Sequence, residues 1–165
     1  MSNPKVELHI AGYGVITLEL DQDKAPKTVE NFLNYVGKGH YNNTVFHRVI
    51  PGFMVQGGDP LGKGFGGPGF KFDDEPHPDK TFTKPYLLAM ANAGKQGGKG
   101  TNGSQFFITV ATPTYLQGKH TIFGEVADAP SREVVDKIAA VPTDRDDRPL
   151  DDIVIERVTI HKDDA

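Results

Sequence analysis

The 165-residue sequence contains no cysteine. Disulfides, thiol nucleophiles and zinc–cysteine sites are therefore excluded, and the fold rests on packing alone. Neither sign of charge dominates: 18 Lys+Arg against 22 Asp+Glu give a formal net charge of -4. The basic residues are scattered, so the chain lacks the footprint of a nucleic-acid-binding protein. No apolar stretch approaches the ~20 residues that span a bilayer, and "MSNPKVELHI" does not have the pattern of a signal peptide. No membrane association is expected, and the expected location is cytoplasmic. The six histidines, at 9, 40, 47, 77, 120 and 161, form no pair at i, i+3 or i+4. That spacing argues against a metal site.

Glycine-rich patterns are present but lack the context that chemistry needs. G-x-G-x-x-G occurs at 62–67, 64–69 and 98–103, yet none of these opens a helix, so dinucleotide binding is not indicated. "GKQGGKGT" misses the phosphate-loop spacing. Ser104 sits in "NGSQF", not in G-x-S-x-G, so no nucleophile elbow is expected. No cofactor is implied.

What is present reads as one globular domain over 1–165, with 37% hydrophobic and 24% charged residues. Val6, Leu8 and Ile10 alternate with polar residues, as do Ile16, Leu18 and Leu20 after Gly12-Tyr13-Gly14, which predicts a half-buried hairpin. Pro26, the spacing of Val29, Phe32, Leu33 and Val36, and Gly37 as a stop predict a helix. Further strands are expected at 45–50, 53–57, 87–92, 105–110, 120–127 and 152–161. A second helix is expected with Ser131 as its cap, Val134, Val135 and Ile138 on one face, and Pro142 beyond its end. About eight strands with only two helices predict a mainly β fold: a closed eight-stranded antiparallel barrel capped by two helices, with a sandwich as the alternative. The Gly-, Pro- and Asp-rich stretch 57–85 reads as a surface excursion.

Within "FHRVIPGFMVQGGD" (46–59), a permanently charged Arg48 stands among Phe46, Val49, Ile50, Phe53, Met54 and Val55, where burying an unpaired charge would be costly. Three other segments share this character of apolar residues with one hydrogen-bonding side chain: "LLAMANAG" with Asn92, "TNGSQFFITV" with Gln105, and "YLQGKHTIFGEV" with His120. Taken singly, Arg48 reads as a snorkelling or paired strand residue and Gln56 as a turn-forming edge residue. Together, Arg48, Gln56, Asn92, Gln105 and His120 could line an apolar groove containing Phe53, Met54, Phe107 and Leu116, a peptide-sized site.

These blocks, "FHRVIPGFMVQGGD", "MANAG", "NGSQFFIT" and "LQGKHTIFGEV", resemble in order and spacing the signature blocks of the cyclophilin-type peptidyl-prolyl cis-trans isomerases, bacterial cytosolic members included. The similarity runs from the first strand to about Ile160. The resemblance implies the eight-stranded barrel with two capping helices, with substrate lying across one outer face. It implies an enzyme that rotates Xaa-Pro bonds and assists protein folding, with no cofactor, no metal and no covalent intermediate, acting on proline-containing polypeptides as a monomer. Arg48, Gln56, Phe53 and His120 would be the catalytic set, with Arg48 stabilising the twisted transition state. Met54, Phe107 and Leu116 would complete the proline pocket, Asn92 would hold the residue before proline through its backbone, and Ala91, Ala93, Gln105, Gly64 and Tyr115 would shape the groove. His47 is expected to point to the opposite face and to be structural.

Two departures from the family pattern stand out. Tyr115 occupies a position where eukaryotic members carry tryptophan, which implies reduced affinity for cyclosporin. The segment between Ala93 and Gly103 is longer than in many members and carries two lysines, Lys95 and Lys99. The alternative to an enzyme is a chaperone or scaffold module of the same fold that holds proline-containing segments without significant turnover. A small-ligand barrel is more remote.

Overall fold

Alternation of apolar and polar residues builds the first two strands, β1 (Lys5–Ile10) and β2 (Gly14–Leu20), which pair antiparallel from Lys5↔Glu19 to Ile10↔Gly14. Their inward residues Val6, Leu8, Ile10, Ile16, Leu18 and Leu20 are all buried, as a period of two requires when one face meets a core. The computed structural model describes residues 4–21, 25–37, 39, 41–58, 85–90, 105–112, 120–145 and 147–161.

Helix α1 (Pro26–Gly37) has the expected bounds and packs against β9 (Val154–His161). Its apolar stripe drives Phe32 into the core, where the ring lies 5.1 Å from Tyr41, 5.2 Å from Phe123 and 5.8 Å from Phe106, centroid to centroid. The remaining strands are β3 (Thr44–Val45), β4 (Arg48–Ile50), β5 (Met54–Gly57), β6 (Leu87–Met90), β7 (Phe106–Thr109) and β8 (Ile122–Val126).

All pairings are antiparallel, in the order β3-β9-β1-β2-β8-β6-β7-β5-β4. The expected mainly β architecture with two helices is present, but among the described residues the sheet has nine strands in an open order rather than eight in a closed one. The difference lies in the segment read from sequence as one strand over 45–50. It bends at the buried Phe46 and His47, so its first part pairs with β9 and its second with β5. One short stretch thus supplies both terminal strands of a curled sheet, a corner of the kind that lets a strand change partners.

At β8 the sheet is drawn tight around Gly124, where a Cβ would lie 2.5 Å from the Glu19 carbonyl oxygen. Only glycine permits this approach of β8 to β2.

Helix α2 (Ala129–Ala139) packs on β2, β4 and β5. Its N-cap is Asp128, not Ser131: the Asp128 carboxylate accepts from the Ser131 amide at 2.9 Å. Both residue types cap well and they stand three apart, but Pro130 suits the first turn and sets the start earlier. Ser131 is instead buried, and its hydroxyl oxygen accepts from the Thr17 amide at 2.8 Å. Hydrogen bonds from Ser131, hydroxyl first and then amide, hold the Asp128 carboxyl below its ordinary value of 3.8. A depressed carboxyl stabilises the fold above its ordinary value and loses that contribution as pH falls through the folded one. Asp128→Ala is therefore expected to cost about 1 kcal/mol at neutral pH. In urea unfolding series the gap from the parent protein should narrow only below pH 3.8, by the part that depends on the carboxylate's charge. A gap that did not change with pH would place the loss elsewhere.

Among the described residues no helix is long and apolar enough to cross a membrane.

Candidate active site

The strands β4, β5, β7, β6 and β8 are neighbours in that order, and their registers align one residue from each: Arg48↔Gln56, Gln56↔Phe107, Phe107↔Ala89 and Ala89↔Ile122. Residues opposite one another in a sheet share a face, so this row crosses the outer surface, away from the main core. With strands ~4.8 Å apart, its four steps span about 19 Å, the length of five to six extended residues.

The inward row beside it, Val49, Val55, Ile108 and Leu88, is fully buried in the main core. Met54, Leu87, Ala89, Phe107 and Ile122 form a second, separate apolar cluster, with Ile50 and Phe53 packed against it. Its floor is deep: Met54 is 2% and Phe107 4% exposed.

The hairpin between β4 and β5 fixes Phe53. Its Pro51-Gly52 pair closes a turn in which the Phe53 amide donates to the Ile50 carbonyl at 3.0 Å, with Gly52 at φ 74°, the positive φ that a type II turn needs. The Phe53 carbonyl in turn accepts from the Val110 amide at 2.8 Å.

Polar groups ring this floor. Arg48 is exposed while its neighbour His47 is 7% exposed, so the two point to opposite sides as expected. The cost of burying a charge does not arise, because the guanidinium sits at the solvent end of the row. Gln56, its partner across the hairpin, donates from Nε2 to Gln105 Oε1 at 3.0 Å. That bond uses one of the two N–H donors of Gln56 and fixes the amide's orientation, with its oxygen as the acceptor for an arginine or a peptide N–H.

His120 stands at the other side of Phe107, edge to face, with centroids 5.2 Å apart and planes at 88°. Its Nδ1 lies 3.0 Å from the Met90 carbonyl oxygen. A carbonyl only accepts, so Nδ1 carries the hydrogen and fixes the ring orientation. A guanidinium donor, two amides and an oriented imidazole around an apolar floor can hold a neutral, amide-bearing ligand with a compact ring. Among the described residues no group of three or more His, Asp or Glu is placed to hold a metal ion.

Residues 5–160 match the family model described as "Cyclophilin type peptidyl-prolyl cis-trans isomerase/CLD". The chain belongs to the cyclophilin family. This cyclophilin is 56% identical over 163 residues to peptidyl-prolyl cis-trans isomerase B of Streptomyces anulatus, covering 89% of this chain and 91% of that protein. To peptidyl-prolyl cis-trans isomerase A of Mycobacterium tuberculosis it is 53% identical over 163 residues, covering 89% of this chain and 87% of the relative. The crystal structure of a Cryptosporidium parvum cyclophilin-type isomerase superposes with a TM-score of 0.91 at 38% identity, covering 98% of this chain and 99% of that one. A second structure of that protein, in the presence of the dipeptide Ala-Pro, gives 0.89 at 39% identity over 96% and 99% of the two chains.

Of the residues expected at the site of this cyclophilin, the described ones are Arg48, Phe53, Met54, Gln56, Gln105, Phe107 and His120. They lie on the one outer face or at its edge. Gly64, Ala91, Asn92, Ala93, Tyr115 and Leu116 lie outside the described residues. Sequence reasoning missed Leu87, Ala89 and Ile122, which complete the floor. Strand β6 is buried throughout and β8 begins with three buried residues in succession, so period-two alternation gives no sign of which residues look outward.

Proposed function

We infer that this cyclophilin catalyses cis-trans isomerisation of Xaa-Pro bonds by stabilising the twisted amide, with Arg48 as the donor to the prolyl nitrogen. The observation that carries the reading is the register row that sets Arg48 and Gln56 beside Phe107 over one apolar floor.

Rotation about the bond loses amide resonance, at a barrier of roughly 18–20 kcal/mol, and takes about tens to hundreds of seconds unaided. No covalent bond breaks. In the twisted state the nitrogen becomes pyramidal and regains a lone pair, so a donor fixed there binds the transition state better than either planar form. A guanidinium supplies several fixed N–H groups and stays charged throughout the relevant pH range. The floor of Met54 and Phe107, with Phe53 and His120 beside it, holds the proline ring, and its low polarity disfavours the charge-separated planar amide. Gln56 orients Arg48 or the substrate carbonyl, and Gln105 shapes the groove. Leu116 joins the proline pocket, the Asn92 backbone pairs with the residue before proline, and Ala91, Ala93, Gly64 and Tyr115 line the rest.

The physiological substrates under this reading are proline-containing segments of folding polypeptides, met by a monomeric single-domain protein in the cytoplasm. Cyclosporin binds the same groove weakly, because Tyr115 cannot place a donor where an indole N–H would stand. Tyr115→Trp should tighten it by up to about tenfold for one hydrogen bond gained. In drug titrations of parent and variant, equal affinities would remove position 115 from the binding site.

The reading is tested by magnetization-transfer NMR on an Xaa-Pro peptide with and without the protein. Accelerated exchange supports it. Binding of the peptide with no acceleration would establish the scaffold alternative instead.

A further inference from the structure

Strand β4 has three residues and ends the sheet among the described residues, where the sheet pairs one of its edges. A terminal strand this short is prone to fray unless its other edge is also held. In an antiparallel pair, successive residues turn their amides to opposite sides. Val49, between Arg48 and Ile50, donates its amide not to β5 but to the Asp147 carbonyl oxygen, at 2.7 Å.

Asp147 holds a φ of 64°, in the left-handed region that Asp and Asn tolerate and β-branched residues resist. The loop that presents it is closed on itself. The Asp147 amide donates to the Asp144 carbonyl at 3.1 Å, and the Asp144 amide to the Arg148 carbonyl at 2.9 Å. The Arg148 amide donates to Asp144 Oδ1 at 3.1 Å. At its base Thr143 bridges to Pro149, and the Leu150 amide donates to the Pro142 carbonyl at 3.0 Å. Helix α2, which leads into the loop, packs on β4 and β5.

We propose that the turn built on Asp144, Asp147 and Arg148 is a positioning element for catalysis, in which Asp147, through its carbonyl, fixes the backbone beside Arg48 and so aims the guanidinium. The proposal rests on Arg48 being the transition-state donor. Arg48 is exposed, so core packing does not set its direction. The backbone from which it projects must do so, and displacements near 1 Å are enough to weaken catalysis severely. Sequence gives no hint of this link, since "TDRDDRPLDD" (143–152) reads as a charged surface loop.

Asp147→Val disfavours the left-handed conformation, whereas Asp147→Asn keeps both shape and φ. For Asp147→Val, hydrogen exchange at the Val49 amide should quicken and kcat on one Xaa-Pro peptide fall about tenfold. KM should stay nearly unchanged, since the apolar floor is untouched, and Asp147→Asn should restore both. In an Arg48→Ala background, Asp147→Val should cost nothing further. Faster Val49 exchange with unchanged kcat would overturn the proposal, and so would an equal loss with and without Arg48. If Asp147→Val fails to fold, Asp144→Ala, which removes the acceptor for the Arg148 amide, should give the same split in weaker form. No kcat loss there despite faster Val49 exchange would count equally against it. Full activity of Arg48→Ala alone is a different result and strikes the underlying assignment of the donor, not the loop.

Discussion

Arg48→Ala and Arg48→Lys are both expected to lower turnover by on the order of 10²–10³-fold, the scale of losing a preorganised donor to a developing charge. The expected change in stability is small, within about 0.5 kcal/mol, because the exposed side chain buries no core surface. Lysine should not rescue activity. Its ammonium is a mobile point charge, whereas the guanidinium presents a rigid fork. The assay is peptide exchange by NMR, with chemical unfolding of the same samples to show that the fold is kept. No proton is transferred in this mechanism, so the parent's rate should lack the bell-shaped pH profile of proton-transfer enzymes. Full activity in Arg48→Ala would remove this residue from the mechanism.

The second large effect separates two adjacent phenylalanines. Phe106 and Phe107 project to opposite faces of β7: Phe106 into the main core, within 5.8 Å of Phe32 and 5.5 Å of Tyr41, and Phe107 into the outer cluster beside His120. Phe106→Ala should cost about 3–5 kcal/mol, because the interlocked rings cannot collapse into the void. Against a total stability of about 5–15 kcal/mol, that loss brings the protein near unfolding. The fraction still folded should keep its turnover. Phe107→Ala should do the reverse, losing kcat/KM heavily while its unfolding midpoint falls less, since peptide and solvent can reach the gap. Unfolding curves and exchange rates on both variants decide it. Similar profiles for the two would contradict the division of the sheet into a core face and a working face.

The sequence made much of this visible where one face of a strand meets water. Val6, Leu8, Ile10, Ile16, Leu18 and Leu20 declare β1 and β2 by alternation, and Pro26 and Gly37 bracket α1. Legibility ends where both faces are apolar. "LLAM" and "FFIT" are buried throughout, so no pattern distinguishes Ala89 and Phe107, which look outward, from Leu88 and Ile108, which look in. The bend at Phe46-His47 is hidden for the same reason: it falls inside a continuous run with no glycine or proline to mark it. The polar members of the site were readable because each lies within or beside an apolar run: Arg48 and Gln56 in β4 and β5, Gln105 just before β7 and His120 just before β8. The Val49–Asp147 bond was not, since main-chain partners far apart in sequence leave no trace in residue identity.

The bent segment also governs when the molecule can be completed. β1 lies between β2 and β9, and among the described residues β3 pairs only with β9. Strand β9 begins at Val154, so two edges formed early in the chain wait for partners about 150 and 110 residues later. A ribosome adding about 5–20 residues per second leaves those edges open for several seconds at least, exposed to pairing with other chains. Sheet assembly is therefore governed from the C-terminal strand backwards, and a chain halted before residue 153 would carry Arg48 on a β4 whose adjoining β3 still lacks its partner. Neither does such a chain gain the Phe46–Ile153 bond that holds the corner, so catalytic competence and escape from aggregation arrive together, with the last strand.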